Sequence, residues 1–90
     1  MRYAVYWLPS AQEELTRLWL EPTTRRKITD ATDEIDRLLQ ADPAQLGESR
    51  EGDLRVMFVD PLGVSFIVDD EQGAVVVVEM WRYRVDDRPA

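Results

Sequence analysis

The hydrophobic pattern at the start of the chain, a nearly unbroken apolar run, predicts that the chain opens with a β-strand over residues 2–8. This segment is rich in aromatic and β-branched residues, which fit a pleated, half-buried surface. Its two faces are both apolar and carry Tyr3, Val5 and Trp7 on one side and Ala4, Tyr6 and Leu8 on the other. Because neither face is polar, the pattern predicts a strand that is covered on more than one side.

An amphipathic helix is predicted directly after this strand. Ser10 and Glu13 have the spacing of a capping box, in which the two side chains satisfy backbone N–H groups at a helix start. The helix ends before Pro22, because the residue that precedes a proline disfavours helical geometry. Its apolar stripe consists of Ala11, Leu15, Leu18 and Trp19.

A second amphipathic helix follows, which Thr23 or Thr24 can cap and which ends before Pro43. Its apolar stripe consists of Ile28, Ala31, Ile35, Leu38 and Leu39. Two one-sided helices with a short joint form an αα-hairpin. The strands of the chain can supply the surface that both stripes need.

Three further strands are predicted after a polar loop over residues 44–53. They span residues 54–59, 64–69 and 74–81, with turn clusters rich in Asp, Pro and Gly between them. Short turns make neighbouring strands antiparallel. The last strand is apolar on both faces, because four valines occupy positions 75–78, and it should therefore be central in the sheet.

Together these elements predict an α+β fold of order β-α-α-β-β-β, with the αα-hairpin packed on an antiparallel sheet. Ninety residues correspond to a single domain, 1–90, of which residues 83–90 should form a frayed tail. The predicted core consists of Leu15, Leu18, Ile28, Ile35, Leu38, Phe66 and Val77.

The composition excludes several kinds of chemistry. The chain has no cysteine and no histidine, so it has no thiolate nucleophile, no imidazole base and no Cys- or His-bound metal. We expect no cofactor and no metal. The longest apolar run, 74–78, is far shorter than the roughly 20 residues of a membrane span. The first residues lack the apolar region of a signal peptide, so a cytoplasmic location is expected.

The net charge of −7 and the pI of about 4.4 bear on the choice of partner. A surface this acidic repels nucleic acid phosphates at long range, so direct nucleic acid binding is disfavoured unless a local basic patch exists. A basic protein segment suits the charge at least as well.

Several segments, in this order and spacing, are similar to those of a known family. The opening run from Tyr3 to Ala11 is followed by Glu14-Leu15. The later segments are Ile35, Leu38 and Leu39 before Asp42-Pro43, Leu46 to Arg50 with Leu54-Arg55, and Val76 to Tyr83. Together they resemble the RelE/ParE-type bacterial toxins over nearly the whole chain. The resemblance implies the toxin half of a type II toxin–antitoxin pair that is silenced by a cognate antitoxin.

RelE-like members of this family cleave mRNA on the ribosome, and the resemblance implies which residues would do so here. Arg55 stands where the family often has a basic residue, and Arg82 or Arg84 could supply the basic residue after the last strand. Tyr83 would have to replace the family's late tyrosine. At the remaining positions of the family's basic residues the chain has Met57 and Gly63 or Val64. The predicted nuclease site, Arg55, Arg82 and Tyr83, is therefore incomplete.

Arg25-Arg26-Lys27 form a basic cluster at the start of the second helix, where positive charge opposes the helix dipole. They could bind an anionic partner, or they could be solvated and compensated by Asp30 and Glu34. Among the tryptophans, Trp7 and Trp19 are predicted to be core residues. Trp81, at the end of the last strand, either contributes to a partner interface or caps the core. Arg84, three positions further on, could contribute to the same interface.

The acidic clusters do not have the pattern of a metal or acid–base site. Asp33, Glu34 and Asp36 are one to three positions apart on a helix, and neighbours at one or two positions do not face each other. Asp69, Asp70 and Glu71 lie in a predicted hairpin turn, where acids are common. Both groups are expected to be solvated.

Three functions stay open at the level of sequence. The first is a ParE-like toxin that poisons DNA gyrase by protein binding, which needs no catalytic residues. The second is a RelE-like, ribosome-dependent mRNA endonuclease. The third is an inactive relative that keeps the fold as an interaction module, which the acidic charge favours. The missing basic residues favour the ParE-like interpretation over the nuclease.

Overall fold

The structure, a computed structural model, describes residues 2–83 and consists over that range of two α-helices against one five-stranded sheet. In chain order the elements are β1 (Ala4–Trp7), α1 (Pro9–Trp19), α2 (Arg25–Ala41), a 3-10 turn (Pro43–Gln45), β2 (Glu48–Ser49), β3 (Leu54–Val59), β4 (Leu62–Asp69) and β5 (Ala74–Arg82). The strand order is β1-β5-β4-β3-β2. Residues from both helices and from the sheet share one core. The predicted α+β architecture, with two helices on a sheet, is confirmed.

The sheet is mixed rather than purely antiparallel. Strands β3, β4 and β5 form the predicted antiparallel meander, but β1 lies parallel to β5, with Ala4 opposite Ala74 and Trp7 opposite Val77. A short turn makes the two strands that it joins antiparallel. Two helices and three strands separate β1 from β5 in the chain, so no turn fixes their relative direction. Strand β5 is internal, as expected from its two apolar faces.

The prediction that β1 is covered on both sides is wrong. Strand β1 is an edge strand, and only the face with Val5 and Trp7 packs against the core. On the other face Tyr6 is 58% exposed and Leu8 is 40% exposed. The pattern misled because these side chains lie on a sheet face that neither of the two helices in residues 2–83 covers.

The predicted capping box at the start of α1 is also wrong. The helix begins at Pro9, which suits the first helical position because it has no N–H to satisfy. The hydroxyl of Ser10 donates instead to the carbonyl of Val78 at 3.2 Å, and the N–H of Leu8 donates to the carbonyl of Val77 at 3.0 Å. The start of α1 is therefore fixed to β5 rather than capped by its own side chains. In α2, Thr24 is at the N-cap, but its side chain makes no capping bond.

The predicted loop over residues 44–53 contains regular structure. The 3-10 turn occupies its start, and β2 pairs with β3, with Glu48 opposite Val56 and Ser49 opposite Arg55. The sequence did not predict β2, because its two residues, Glu48 and Ser49, are both polar. Strand β4 begins at Leu62, two positions earlier than predicted, so the β3–β4 turn is tighter than expected.

A β-bulge in β5 sets which of its residues face the helices. Ser65 of β4 lies opposite Glu79, and the next residue, Phe66, lies opposite Val77, so Val78 is the extra residue. The inward-facing, buried positions of β5 are consequently Val75, Val77 and Met80, with the alternation shifted by one after the bulge. Glu79 and Trp81 therefore lie on the face opposite the helices.

The core lies between the helices and the inner face of the sheet. Its buried residues are Ala11, Leu18, Ile28, Ala31, Ile35, Leu39, Met57, Leu62, Val64, Phe66, Val75, Val77 and Met80. Five of the seven predicted core residues are among them, whereas Leu15 and Leu38 are partly buried and pack against this cluster. Trp7 is half-buried, but Trp19 is 43% exposed, so its prediction as a core residue is wrong.

The described chain ends beside the turn between β3 and β4. Arg82 belongs to β5, and the N–H of Tyr83 donates to the carbonyl of Pro61 at 3.0 Å. The remainder of the predicted tail, 84–90, including Arg84, lies outside the described residues. Within residues 2–83, neither helix has the length and apolar character to cross a bilayer.

Candidate functional site

Arg55 connects β3 to the segment that precedes β2. Its Nε donates to the carbonyl of Leu46 at 2.8 Å, and its NH2 group donates to the carbonyl of Gly47 at 3.3 Å. It alternates along β3 with buried Met57, so it lies on the helix side of the sheet. Two backbone carbonyls thus occupy donors that a catalytic arginine would direct at a phosphate.

The three predicted catalytic residues do not form one site. Arg55 is opposite Phe66, and Arg82 is opposite Leu62, four positions away along β4. At about 3.3 Å per residue this offset is roughly 13 Å along the strand. Tyr83 follows Arg82 and lies on the other face, where its ring meets that of Phe58 edge-on with centroids 5.1 Å apart.

The positions at which the resemblance places further basic residues are structural. Met57 and Val64 are opposite each other on the inner face and are buried in the core. Gly63 lies on the outer face beneath the indole of Trp81. Met57, Val64 and Gly63 therefore serve packing.

The basic cluster of α2 splits into one constrained and two exposed side chains. The Nε of Arg25 donates to the carbonyl of Trp19 at 2.9 Å, and its guanidinium carbon is 4.3 Å from the centroid of the Trp19 ring. This contact joins the helices at the hairpin corner. Arg26 and Lys27 are exposed. Glu34, which was expected to compensate the charge of this cluster, forms an ion pair with Arg37 instead.

A shallow depression of about 300 Å³ lies between the two helices. Its lining consists of Leu15, Thr16, Trp19, Thr29, Thr32 and Asp33. The indole N–H of Trp19 donates to Thr29 Oγ1 at 3.1 Å across this depression. It combines apolar walls with hydroxyl groups and contains no cluster of charges.

The outer face of the sheet, opposite the helices, carries three rows of side chains that cross the strands. The first row is apolar and consists of Tyr6, Val76, Ile67 and Leu54. The middle row consists of Glu79, Ser65, Val56 and Glu48. The third row is Trp81, Gly63 and Phe58, with Tyr83 beside it. No helix covers this face within residues 2–83.

The third row is an aromatic cluster built on a glycine. The ring of Phe58 meets that of Trp81 edge-on, with centroids 6.1 Å apart. Phe58 is 51% exposed, whereas Trp81 and Tyr83 are half-buried. Trp81 thus neither caps the core under the helices nor stands free in solvent. It forms the floor of an exposed aromatic patch, which keeps open its predicted part in a partner interface.

Three electrostatic contacts shift pKa values. The phenol of Tyr3 donates to Asp70 Oδ1 at 2.6 Å, and this hydrogen bond raises the pKa of Tyr3. The hydrogen bond from Arg17 lowers the pKa of Glu14, and that from Arg37 lowers the pKa of Glu34. All are on exposed surfaces, so they report local pairing rather than a catalytic site.

The carboxylates do not gather into a metal site within residues 2–83. Asp36 is not simply solvated, because its Oδ1 accepts the indole N–H of Trp7 at 3.1 Å. Asp69 accepts the backbone N–H of Gln72 at 3.2 Å, the local turn bonding expected of an acid at this place.

The sequence-based reasoning missed Phe58, Gly63, Ser65 and Glu79 as a shared surface. Strict alternation along β3 would have placed Phe58 with Leu54 and Val56. Glu79 and Trp81 could not be assigned in the same way, because the bulge at Val78 reverses the alternation of β5.

Comparison with known proteins defines the class of fold. No protein-family model and no curated protein sequence matches the chain. A chain of the RelBE2 toxin–antitoxin complex from Mycobacterium tuberculosis superposes with a TM-score of 0.74 at 20% identity, over 96% of this chain and 95% of that one. The isolated E. coli RelE toxin gives 0.65 at 15% identity, covering 94% and 88%.

A chain of the chromosomal ParDE system from P. aeruginosa gives a TM-score of 0.62 at 15% identity, over 92% of this chain and 98% of that one. The protein therefore has the RelE/ParE-type fold, which confirms the architecture that the sequence resemblance implies. The match extends over nearly the full length of each compared chain.

Proposed function

We propose that the protein is the toxin component of a type II toxin–antitoxin pair, that a cognate antitoxin neutralises it, and that it acts by binding a protein target of the gyrase type. The RelE/ParE-type fold over nearly the whole chain supports a toxin role. A toxin of this kind would act in the cytoplasm, where gyrase and ribosomes are found.

The observation that favours binding over RNA cleavage is the dispersal of Arg55, Arg82 and Tyr83. Cleavage through a ribose 2′-hydroxyl builds negative charge on the phosphate and the leaving oxygen. Without histidine, clustered arginine or lysine side chains would have to stabilise that charge. Arg55 donates to two carbonyls, Arg82 is offset along the sheet, and Tyr83 packs on Phe58.

Protein binding makes no such demand, because it needs a complementary surface and not a pre-arranged cationic site. The net charge of −7 also opposes docking on ribosomal RNA. The RelE-like nuclease remains the alternative enzyme, and an inactive interaction module remains the alternative without toxicity.

Inducible expression in a bacterial host tests the proposal. We expect induction to arrest growth and purified protein to inhibit DNA supercoiling by gyrase. Coexpression of a small open reading frame adjacent to the gene should restore growth. The same gene with an early stop codon controls for the burden of induction.

Two results would contradict the proposal in different ways. Codon-phased mRNA cuts, detected by primer extension and lost in Arg82→Ala, would establish the nuclease function. Normal growth at high levels of folded protein would reject a toxin and favour the interaction module.

A further inference from the structure

We propose that the outer face of the sheet is a docking surface for a basic protein segment, one that places apolar side chains on the aromatic row and a lysine or arginine on Glu79. This surface consists of the three rows described above. The proposal concerns binding at this face and holds whether or not the protein is a toxin.

Several large apolar side chains are exposed on this face. Tyr6 is 58% exposed, Phe58 51% and Ile67 38%, and all three lie on this one side of the sheet. Exposed apolar side chains that gather on one face of a domain commonly mark an interaction site. Aromatic side chains contribute strongly to such interfaces, because they bury a large area with few rotatable bonds.

The charge of the face indicates the chemistry of the partner. Glu79 and Glu48 occupy the two ends of the middle row, three strand spacings apart, or roughly 14 Å. Arg50 lies 3.6 Å from Glu48 and partly balances it, whereas Glu79 has no ion pair with any residue in 2–83. Every charged side chain that the register of β2 to β5 assigns to this face is acidic.

Ser65 gives an independent indication that the middle row is incomplete. It lies between Val56 and Glu79, is 96% buried, and its hydroxyl has no hydrogen-bond partner within residues 2–83. Buried hydroxyl groups in folded proteins are nearly always paired. A polar group of a docked segment, beside a cation on Glu79, can supply that partner after a small shift of the neighbouring side chains.

A nucleic acid is the other macromolecule that stacks on exposed aromatic residues of a sheet. Such sites combine the aromatic platform with a positively charged groove that follows the phosphates. Here the aromatic row adjoins Glu79, and the residues of β2 to β5 on this face include no cation. A protein segment that carries its own positive charge fits this surface better than RNA does.

The test uses the full chain and two synthetic peptides of equal length. One alternates Lys with Trp and Leu, and the other has Glu in place of each Lys. The three tryptophans are built-in reporters at separate places: Trp81 on the outer face, Trp7 under the helices and Trp19 at the hairpin corner. Nitrogen-15 NMR follows their indole N–H resonances during titration.

We expect the lysine peptide to shift the Trp81 resonance and to leave those of Trp7 and Trp19 in place. Glu79→Gln should weaken binding about two- to fivefold, as for an exposed ion pair. Phe58→Ala should weaken it about tenfold, as for an aromatic anchor. The matched controls are Glu13→Gln on α1, which removes the same charge elsewhere, and Leu20→Ala, which removes an exposed apolar side chain at the hairpin corner.

Three outcomes would overturn the proposal. The first is equal binding of the glutamate peptide, and the second is equal weakening by Glu13→Gln and Glu79→Gln, which would mean non-specific attraction to an acidic protein. The third is a shift of Trp81 by a single-stranded RNA oligonucleotide that exceeds the shift by the lysine peptide, which would make the face a nucleic acid site. Melting curves of each variant establish that the fold is retained.

Discussion

The indole of Trp81 lies so close to Gly63 that a Cβ atom built on the glycine would be 2.6 Å from Cε2 and Nε1 of the ring. The two residues are directly opposite each other on β5 and β4. Glycine at this position is required by the close approach of the ring. The aromatic row of the outer face therefore depends on the absence of a side chain at residue 63.

Gly63→Ala should destabilise the domain and displace Trp81 from the sheet. The added methyl group overpacks the contact with the indole, which costs about 1–3 kcal/mol in typical cases. Urea denaturation measures the change in the free energy of unfolding. Tryptophan fluorescence should shift to longer wavelength as the ring moves toward solvent.

A double-mutant cycle separates this clash from a general effect of alanine. In a Trp81→Ala background, Gly63→Ala should have little effect, because the atoms that it meets are gone. An equal cost in both backgrounds would show that the strain arises elsewhere along β4.

Ile35→Ala should destabilise the protein more than Leu38→Ala. Ile35 is fully buried in the core, whereas Leu38 is only partly buried at its edge. A buried large-to-small substitution costs about 2–5 kcal/mol, and the cost falls where solvent already reaches the site. Thermal melting of the two variants ranks them, and the reverse order would contradict the placement of α2 on the sheet.

Arg55→Ala should lower stability by about 1–3 kcal/mol, because two backbone carbonyls lose a charged donor. Arg55→Lys should recover only part of this, since one ammonium cannot reproduce the planar, two-armed contact. Hydrogen exchange of the amides over residues 46–50 should speed up in both variants. An unchanged stability together with lost RNA cleavage would instead assign Arg55 a catalytic role.

The pH dependence of Tyr3 follows from its bond to Asp70. Because the folded pKa of Tyr3 is raised, this contact stabilises the fold fully below the ordinary tyrosine pKa of about 10. Its contribution is lost as pH rises through the higher, folded value. Asp70→Asn should lower the pKa of Tyr3, measured from its ring resonances, and Tyr3→Phe should remove this alkaline loss.

The elements that local patterns define were predictable. Of the five residues in the predicted apolar stripe of α2, four are buried and one lies at the edge of the core. The turn clusters correctly predicted the three strands of the meander. The partner of β1 was not predictable, because it pairs with a strand that no short turn connects to it. The capping box failed because Ser10 found a better acceptor in Val78, a tertiary contact that local spacing does not encode.

The candidate surface was harder to predict than the fold. The sequence left two roles open for Trp81, and its neighbours Phe58 and Gly63 are distant in sequence and meet it only through sheet register. Arg55 was predicted from resemblance alone. Its two carbonyl acceptors come from an irregular segment whose path the sequence does not specify.

The parallel pairing of β1 with β5 makes the order of synthesis matter for folding. The contact of Ser10 with Val78 spans 68 positions, so the first strand and the start of α1 lack their partner strand β5 until nearly all of the described chain has been made. Contacts of such long sequence separation slow folding. Until the ribosome has synthesised β5, the apolar strand β1 therefore has no strand with which to pair. The native sheet closes only after β5 has emerged, so any activity of the folded domain begins after its translation.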